Sequence, residues 1–304
     1  MFRFIHCSDW HPAWPLRPAT GGMTLKQLLS TISWHCVRHR RHRREVLDAA
    51  LQVWLRSGVD RVCVTGDLVN FALPAEYCGA ADVLDRLSRV APVSLVPGNH
   101  DALAASGMAE LRRHWARWLD GEENSADGLL VHFHGPVAIV GLSSAIPTPP
   151  LLAYGAVQPQ QLSALERLLP KLRQSGHFRV VMLHHPPQAG VMGWRCGLHQ
   201  AAALRGILQR TGAELVLHGH LHRPVRAWLA GPDAPIPVFG AGSSSLLARR
   251  GGSGRRGHFH LFALEGSPGG WRLEVTDYFH DTSDGVFHPE ASETVPGPAC
   301  FRSH

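Results

Sequence analysis

Val93-Ser94-Leu95-Val96-Pro97-Gly98-Asn99-His100-Asp101 decides how this chain is read. A short, mostly apolar run with strand character meets a turn, and the turn delivers an amide, an imidazole and a carboxylate in succession. The same grammar recurs on both sides of it. Phe2–Cys7 leads to Asp9-Trp10-His11, and Arg61–Val64 leads to Gly66-Asp67. Arg179–Leu183 leads to His184-His185-Pro186-Pro187, and Glu214–Leu217 leads to Gly219-His220-Leu221-His222. These runs are too short for buried helices and are bounded by turn residues, so each predicts a buried strand. The tips of such strands are where an α/β sheet gathers side chains from distant parts of a sequence. Gly66, Gly98 and Gly219 fit a chain that must leave a strand tip sharply or come close to a bound ion.

The residues delivered there are metal donors. Asp9, Asp67 and Asn99 offer oxygen, and His11, His184, His220 and His222 offer imidazole nitrogen. Such a set is enough for two metal ions and points to metal-assisted hydrolysis. Each residue alone has an ordinary reading. Asp9 could cap a helix, Asp67 and Asn99 could sit in plain turns, and His184 could be a satisfied core histidine. Five patches in a fixed order, each after a strand, outweigh those separate readings.

In that order the patches resemble the calcineurin-like metallophosphoesterases, whose pattern is Asp-x-His, Gly-Asp, Gly-Asn-His-Asp/Glu, a histidine before x-Pro, and Gly-His-x-His. The resemblance runs from residue 9 to residue 222. The His-His-Pro-Pro and Gly-His-Leu-His forms are most similar to class III cyclic-nucleotide phosphodiesterases and glycerophosphodiesterases. The resemblance implies a four-layer α/β/β/α sandwich with two mixed sheets. It also implies two metal ions (manganese, iron, zinc or cobalt) and hydrolysis of a phosphodiester by a metal-bridging hydroxide. Asp67 would bridge the ions. Asp9, His11 and His222 would complete one site, and Asn99, His184 and His220 the other. His100 would contact the phosphate and protonate the leaving alkoxide, with Asp101 orienting it. His185 and Arg195 are expected at the substrate. His218 lies outside the pattern, and His6 reads as core.

Because the patches span residues 9 to 222 of 304, no domain boundary can fall between them. One domain is expected over 1–288, followed by a polar tail over 289–304. Helices are expected at 45–55, at 76–90 after Pro74, at 159–169 and at 200–209. Late strands are expected at 235–239, 257–263 and 271–277, and a flexible hairpin loop at 251–257. Between the first two patches lies an insertion, 24–44. Leu25, Leu28, Leu29, Ile32 and Cys36 form its helical apolar stripe, and Arg38, Arg40, Arg41, Arg43 and Arg44 form a basic run. Such a segment can pack its stripe on the domain, cap the site for an anionic, partly apolar substrate, or lie on an anionic membrane surface.

The formal charge of +6 owes much to this run. It would also suit nucleic acid, but the related exonucleases carry a further C-terminal domain that is not expected here. Three rivals to a phosphodiesterase follow: a hydrolase of lipid-linked pyrophosphates or phosphodiesters at a membrane, a DNA exonuclease, and a scaffold that has lost catalysis. The last would need missing ligands, and none is missing. Scattered cysteines, no apolar stretch of membrane-spanning length and no leader make a reducing cytoplasm the expected compartment.

Overall fold

The computed structural model describes residues 1–12, 14, 24–36, 38–121, 128–248 and 255–296. In chain order they form β1 (Phe2–Cys7), α1 (Leu25–Cys36), α2 (Arg44–Arg56), β2 (Arg61–Val64), α3 (Pro74–Ser88), β3 (Val93–Leu95), α4 (Ala105–Leu119), β4 (Leu130–His134) and β5 (Val137–Gly141). Then come α5 (Pro159–Gln174), β6 (Phe178–Met182), α6 (Ala201–Thr211), β7 (Leu215–His218), β8 (Val225–Leu229), β9 (Ile236–Gly240), β10 (His258–Glu265), β11 (Arg272–His280), β12 (Phe287–Pro289) and β13 (Glu293–Val295).

The strands form two mixed sheets. One has the order β12-β11-β10-β1-β2-β3, with β13 also on β11; the other has the order β4-β5-β6-β7-β9-β8. In the first, β1, β2 and β3 are parallel, and Cys7, Val64 and Leu95 lie level across them. In the second, β5, β6, β7 and β9 are parallel, with Gly141, Met182 and Leu217 level. The expected strands therefore end in step, and their donor-bearing turns emerge along one edge.

Side-chain alternation builds the four layers. Ile5 and Cys7 of β1 join the helices α2, α3 and α4 in one core, whereas Phe2 and Phe4 point the other way. Val181 of β6 joins α5 and α6 in a second core. Phe178, Val180 and Met182 meet Phe2 and Phe4 between the sheets. The fold is the expected four-layer α/β/β/α sandwich.

Helix ends depart from expectation by a few residues for visible reasons. Helix α5 runs to Gln174, past Pro170, because its buried stripe continues through Leu172. Helix α3 begins at Pro74, and Glu76 accepts the N–H groups of Asn70, Phe71 and Leu73, which fixes its first turn. Helix α4 was not foreseen. The expected tail from residue 289 is corrected as far as 296: β13 pairs with β11 and buries Val295 between the sheets, and Glu293 pairs with Arg226. Residues 297–304 and most of the 251–257 loop lie outside the described residues. None of the described helices is long and apolar enough to cross a membrane.

In the 24–44 insertion, helix α1 is followed by a short 3-10 turn, Arg38–Arg40, and then by α2. The helix docks through its polar side and one aromatic. Gln27 donates to the Phe71 carbonyl, Lys26 donates to the carbonyl and hydroxyl of Thr148, and Trp34 meets Phe71 edge to face. Three of its apolar residues face outward: Leu25, Leu28 and Ile32 are 63%, 48% and 52% exposed.

Candidate dinuclear metal site

Turns that follow neighbouring strand tips are tied to one another by backbone contacts within each sheet. Asp9 N–H donates to the Gly66 carbonyl, and Gly219 N–H to the His184 carbonyl. The His184 ring reaches from the second sheet to the Thr65 carbonyl of the first at 2.6 Å. Gly66 and Gly98 pass so close that a Cβ on Gly98 would lie 2.3 Å from Asp67 Oδ1, and one on Gly66 2.3 Å from Gly98 N. Five expected ligands, Asp9, His11, Asp67, His220 and His222, have positive φ. A non-glycine residue holds that backbone at a cost on the order of 1 kcal/mol, and it turns these donors inward where an extended strand would point them apart.

All seven expected ligands converge, in two groups that share one oxygen. In the first, His11 Nδ1 donates to the Val69 carbonyl at 3.1 Å, so Nε2 is the atom left facing Asp67 Oδ2 at 3.3 Å and Asp9 Oδ1 at 3.8 Å. His222 Nε2 lies 3.1 Å from Asp9 Oδ1. In the second, Nδ1 of His184 is taken by the Thr65 carbonyl and Nε2 of His220 by the Cys196 carbonyl. The ring atoms left over, His184 Nε2 and His220 Nδ1, face each other at 3.2 Å. Asn99 Oδ1 and Asp67 Oδ2 complete that group, 3.2 and 3.4 Å from His184 Nε2.

Lone pairs gathered this way need a cation between them. Asp9 Oδ1 and His11 Nε2 are buried without a hydrogen-bond partner, which also fits a metal. The other carboxylate oxygens are anchored: Asp67 Oδ1 accepts His100 N–H and Asp9 Oδ2 accepts His220 N–H. Burial alone would raise Asp9 and Asp67, but the surrounding imidazoles outweigh it and hold both well below the usual carboxylate range. Burial would lower His184, yet Asp67 outweighs it and lifts the imidazole to about 9. The pocket draws positive charge strongly. These residues fit two ions, with Asp67 common to both.

The close approach at Gly98 makes a prediction. A Gly98→Ala change displaces the Asp67 carboxylate, so the purified variant should hold fewer than two ions and lose roughly 10²-fold in turnover, of the order of a lost charge stabiliser. Elemental analysis beside steady-state rates checks this, and full metal content at normal rate would contradict it.

His100 lies beside the ligands, edge to face with His11 at 4.8 Å. The expectation that Asp101 orients it is corrected. Asp101 accepts four backbone N–H groups, from Asp67, Leu68, Val69 and Gly98, and so knots the second and third turns together. His100 is instead held by its Nδ1 donating to the Asn70 carbonyl at 2.9 Å, and its Nε2 accepts from Arg38 at 3.1 Å. Burial, then the Arg38 guanidinium, hold this imidazole well below its usual range. His185 is corrected as well. It is fully buried behind His220, with Nδ1 on Ser144 Oγ and Nε2 on the Ala153 carbonyl, so it packs and does not meet substrate. Arg195 is exposed on the rim beside Cys196, and no contact joins its side chain to the ligands.

Sequence reasoning passed over two residues of the site. Arg38 was one of five arginines in a run, and nothing in that run set it apart. His42 is buried with its ring 5.1 Å from His11 and 5.2 Å from His222 and its Nδ1 on Ser245, and it carried no motif. A third gathering, His258, His260 and Asp277, lies elsewhere in the first sheet. It is already satisfied: Gly242 N–H donates to His258 Nδ1, Asp277 Oδ1 takes both imidazoles and Oδ2 takes Arg226.

Comparison with known proteins agrees with this geometry. The chain belongs to the calcineurin-like phosphoesterase family, whose match covers residues 2–224. Its described residues hold candidate ligand groups that share Asp67 at the tips of the strands. A cAMP/cGMP dual specificity phosphodiesterase of Mycobacterium tuberculosis is 28% identical over 218 residues, 70% of this chain. The match spans 64% of that relative's length. Among solved structures, a dimetal phosphatase from Danio rerio superposes with a TM-score of 0.67 at 15% identity, over 97% of this chain and 98% of the other. Purple acid phosphatase PPD1 from yellow lupin gives 0.58 at 11% identity, over 96% of this chain and 53% of the other. At these identities the two structures speak for the fold.

Proposed function

We propose that the protein hydrolyses phosphodiesters, with His100 as general acid and Asp9, His11, Asp67, Asn99, His184, His220 and His222 holding two metal ions. One observation carries the reading: two groups of inward-facing lone pairs share Asp67 Oδ2. When bound, the ions would neutralise phosphate oxygens and supply a water acidic enough to attack near neutral pH. The chain's own residues do the rest. Asp101 keeps the Asp67 and Asn99 turns in register through four amides. The Asn70 carbonyl fixes the tautomer of His100 through Nδ1 and leaves Nε2 as the atom able to carry a proton toward a leaving oxygen.

The identity of the metals is part of the test. Protein loaded with manganese, iron, zinc or cobalt would be given bis(4-nitrophenyl) phosphate, cyclic nucleotides, glycerophosphodiesters, single-stranded DNA and a lipid pyrophosphate. Turnover of at least one diester, abolished by chelation, is expected. Two bound ions without turnover of any of them would end the proposal.

A second reading, a lipid-linked pyrophosphate or phosphodiester taken at an anionic membrane surface, is favoured by the outward stripe of Leu25, Leu28 and Ile32. The arginines behind it are partly committed, since Arg43 pairs with Glu45, and Arg44 pairs with Asp48 and lies over Trp14. Flotation with vesicles rich in anionic lipid tests this reading, and no flotation at low salt would remove it.

A further inference from the structure

Arg38 stands where a leaving group would depart. Its Nη1 is 3.1 Å from His100 Nε2, the atom assigned above to the leaving oxygen. The side chain is only partly exposed, and burial lowers its pKa. Among the described residues no carboxylate lies within ion-pair distance of it, unlike Arg43 and Arg44 further along the same segment. The negative charges that reach it are those of Asp67 and Asp9, which the metals would neutralise. A guanidinium has five donors in a fixed fork, and among the described residues its one hydrogen bond, to an imidazole, leaves most of that fork open. Lys26, on the same insertion, is likewise without a carboxylate and holds Thr148 at the rim. A cation placed there does little for an alkoxide that His100 protonates as it leaves, because that group departs as a neutral alcohol. It does much for a departing phosphate, whose several charged oxygens match a guanidinium fork where an alkoxide or a phenolate offers a single oxygen.

From this we infer that the leaving group is a phosphate, so that the substrate class is a pyrophosphate diester and Arg38 is the residue that selects it. This rests on the phosphodiesterase reading and narrows it, because each phosphorus of a pyrophosphate diester, like that of a phosphodiester, is joined through oxygen to two groups and carries one negative charge. The oxygen of a water molecule bonds to one phosphorus, and the P–O–P bond breaks. The bridging oxygen leaves with its electron pair on the second phosphate, against Arg38. Both protons of the water pass to solvent or to the two phosphate monoesters that are the products. His100 then hands its contact with Arg38 over to the leaving phosphate. The 24–44 insertion is thereby a specificity element through its inward face, whatever its outward stripe does.

The test compares metal-loaded wild type, Arg38→Gln, Arg38→Lys and Arg40→Gln on diadenosine 5′,5′-diphosphate and on bis(4-nitrophenyl) phosphate, with inorganic pyrophosphate as competitive inhibitor. A charged hydrogen bond of this kind is worth about 10–100-fold. Arg38→Gln should lose that much in kcat/KM on the pyrophosphate diester, a loss at least about tenfold greater than on the aryl diester. It should weaken pyrophosphate inhibition by a similar factor, and Arg38→Lys should recover part of both. Arg40, exposed on the same turn, serves as the control and should leave the substrate ratio unchanged. Metal content and thermal midpoint certify that each variant is folded. Equal losses on both substrates, or unaltered pyrophosphate inhibition, would overturn the role of Arg38. A wild-type enzyme that turns over the aryl diester but not the pyrophosphate diester overturns the inference and leaves the phosphodiesterase reading standing. Failure on both substrates with two ions bound removes both.

Discussion

Replacing Asp67 by alanine should reduce turnover on every phosphoester by more than about 10³-fold and leave the protein with fewer than two ions. The size follows from what one side chain does. Asp67 Oδ2 faces His11 Nε2 at 3.3 Å and His184 Nε2 at 3.4 Å, so a single oxygen belongs to both groups of donors. Removing it takes a ligand from each ion and the charge that holds the pair together, and loss of one charge stabiliser alone costs about 10²–10³-fold. Asp67 Oδ1 also accepts His100 N–H at 2.7 Å, so alanine loosens the third turn as well. Asp67→Asn separates the two effects, since an amide can keep the contact to His100 but not the charge. Both variants should lose metal by elemental analysis. A variant with two ions and near-normal rates would show that Asp67 is not shared.

The second large effect belongs to His100. His100→Ala should keep metal content close to normal, because its ring is anchored on the Asn70 carbonyl and is not among the two ligand groups. Turnover should fall by roughly 10²–10⁴ on diesters with poor leaving groups, the usual contribution of a general acid. The loss should shrink for a nitrophenolate, which departs without a proton. Measuring both substrates on one preparation is decisive, and equal losses would argue that His100 binds or positions phosphate without giving up a proton. A leaving phosphate should behave like the nitrophenolate here, so this experiment also bears on the role drawn for Arg38.

Much of this site could be read from the chain because its parts are local. A strand of four to six residues followed by Gly-Asp or Gly-Asn-His is visible in sequence, and level strand tips bring such turns together. What could not be read is long-range or conformational. Asp101 sits next to His100 in sequence, yet its carboxylate turns to the amides of Asp67, Leu68 and Val69, more than thirty residues away. His185 follows a ligand directly and so faces the opposite way, into Ser144 and the Ala153 carbonyl. Arg38 is chemically identical to its neighbours, and only the docking of α1 against Phe71 and Thr148 brings it to His100. The amphipathic stripe of α1 was legible, but its direction was not, because periodicity gives a face without saying what lies opposite.

Each group of donors draws on both sheets. Asp9, His11 and Asp67 come from the first sheet and His222 from the second; Asp67 and Asn99 come from the first, and His184 and His220 from the second. Two ions would therefore rivet the halves of the sandwich across the edge where their parallel strands end, closing loops of more than a hundred residues. Opening the sandwich would require the rivets to be released first, so metal loading should slow unfolding as well as enable chemistry. Metal-free protein should therefore be cut sooner by an added protease than the loaded protein, which limited proteolysis with and without chelator checks.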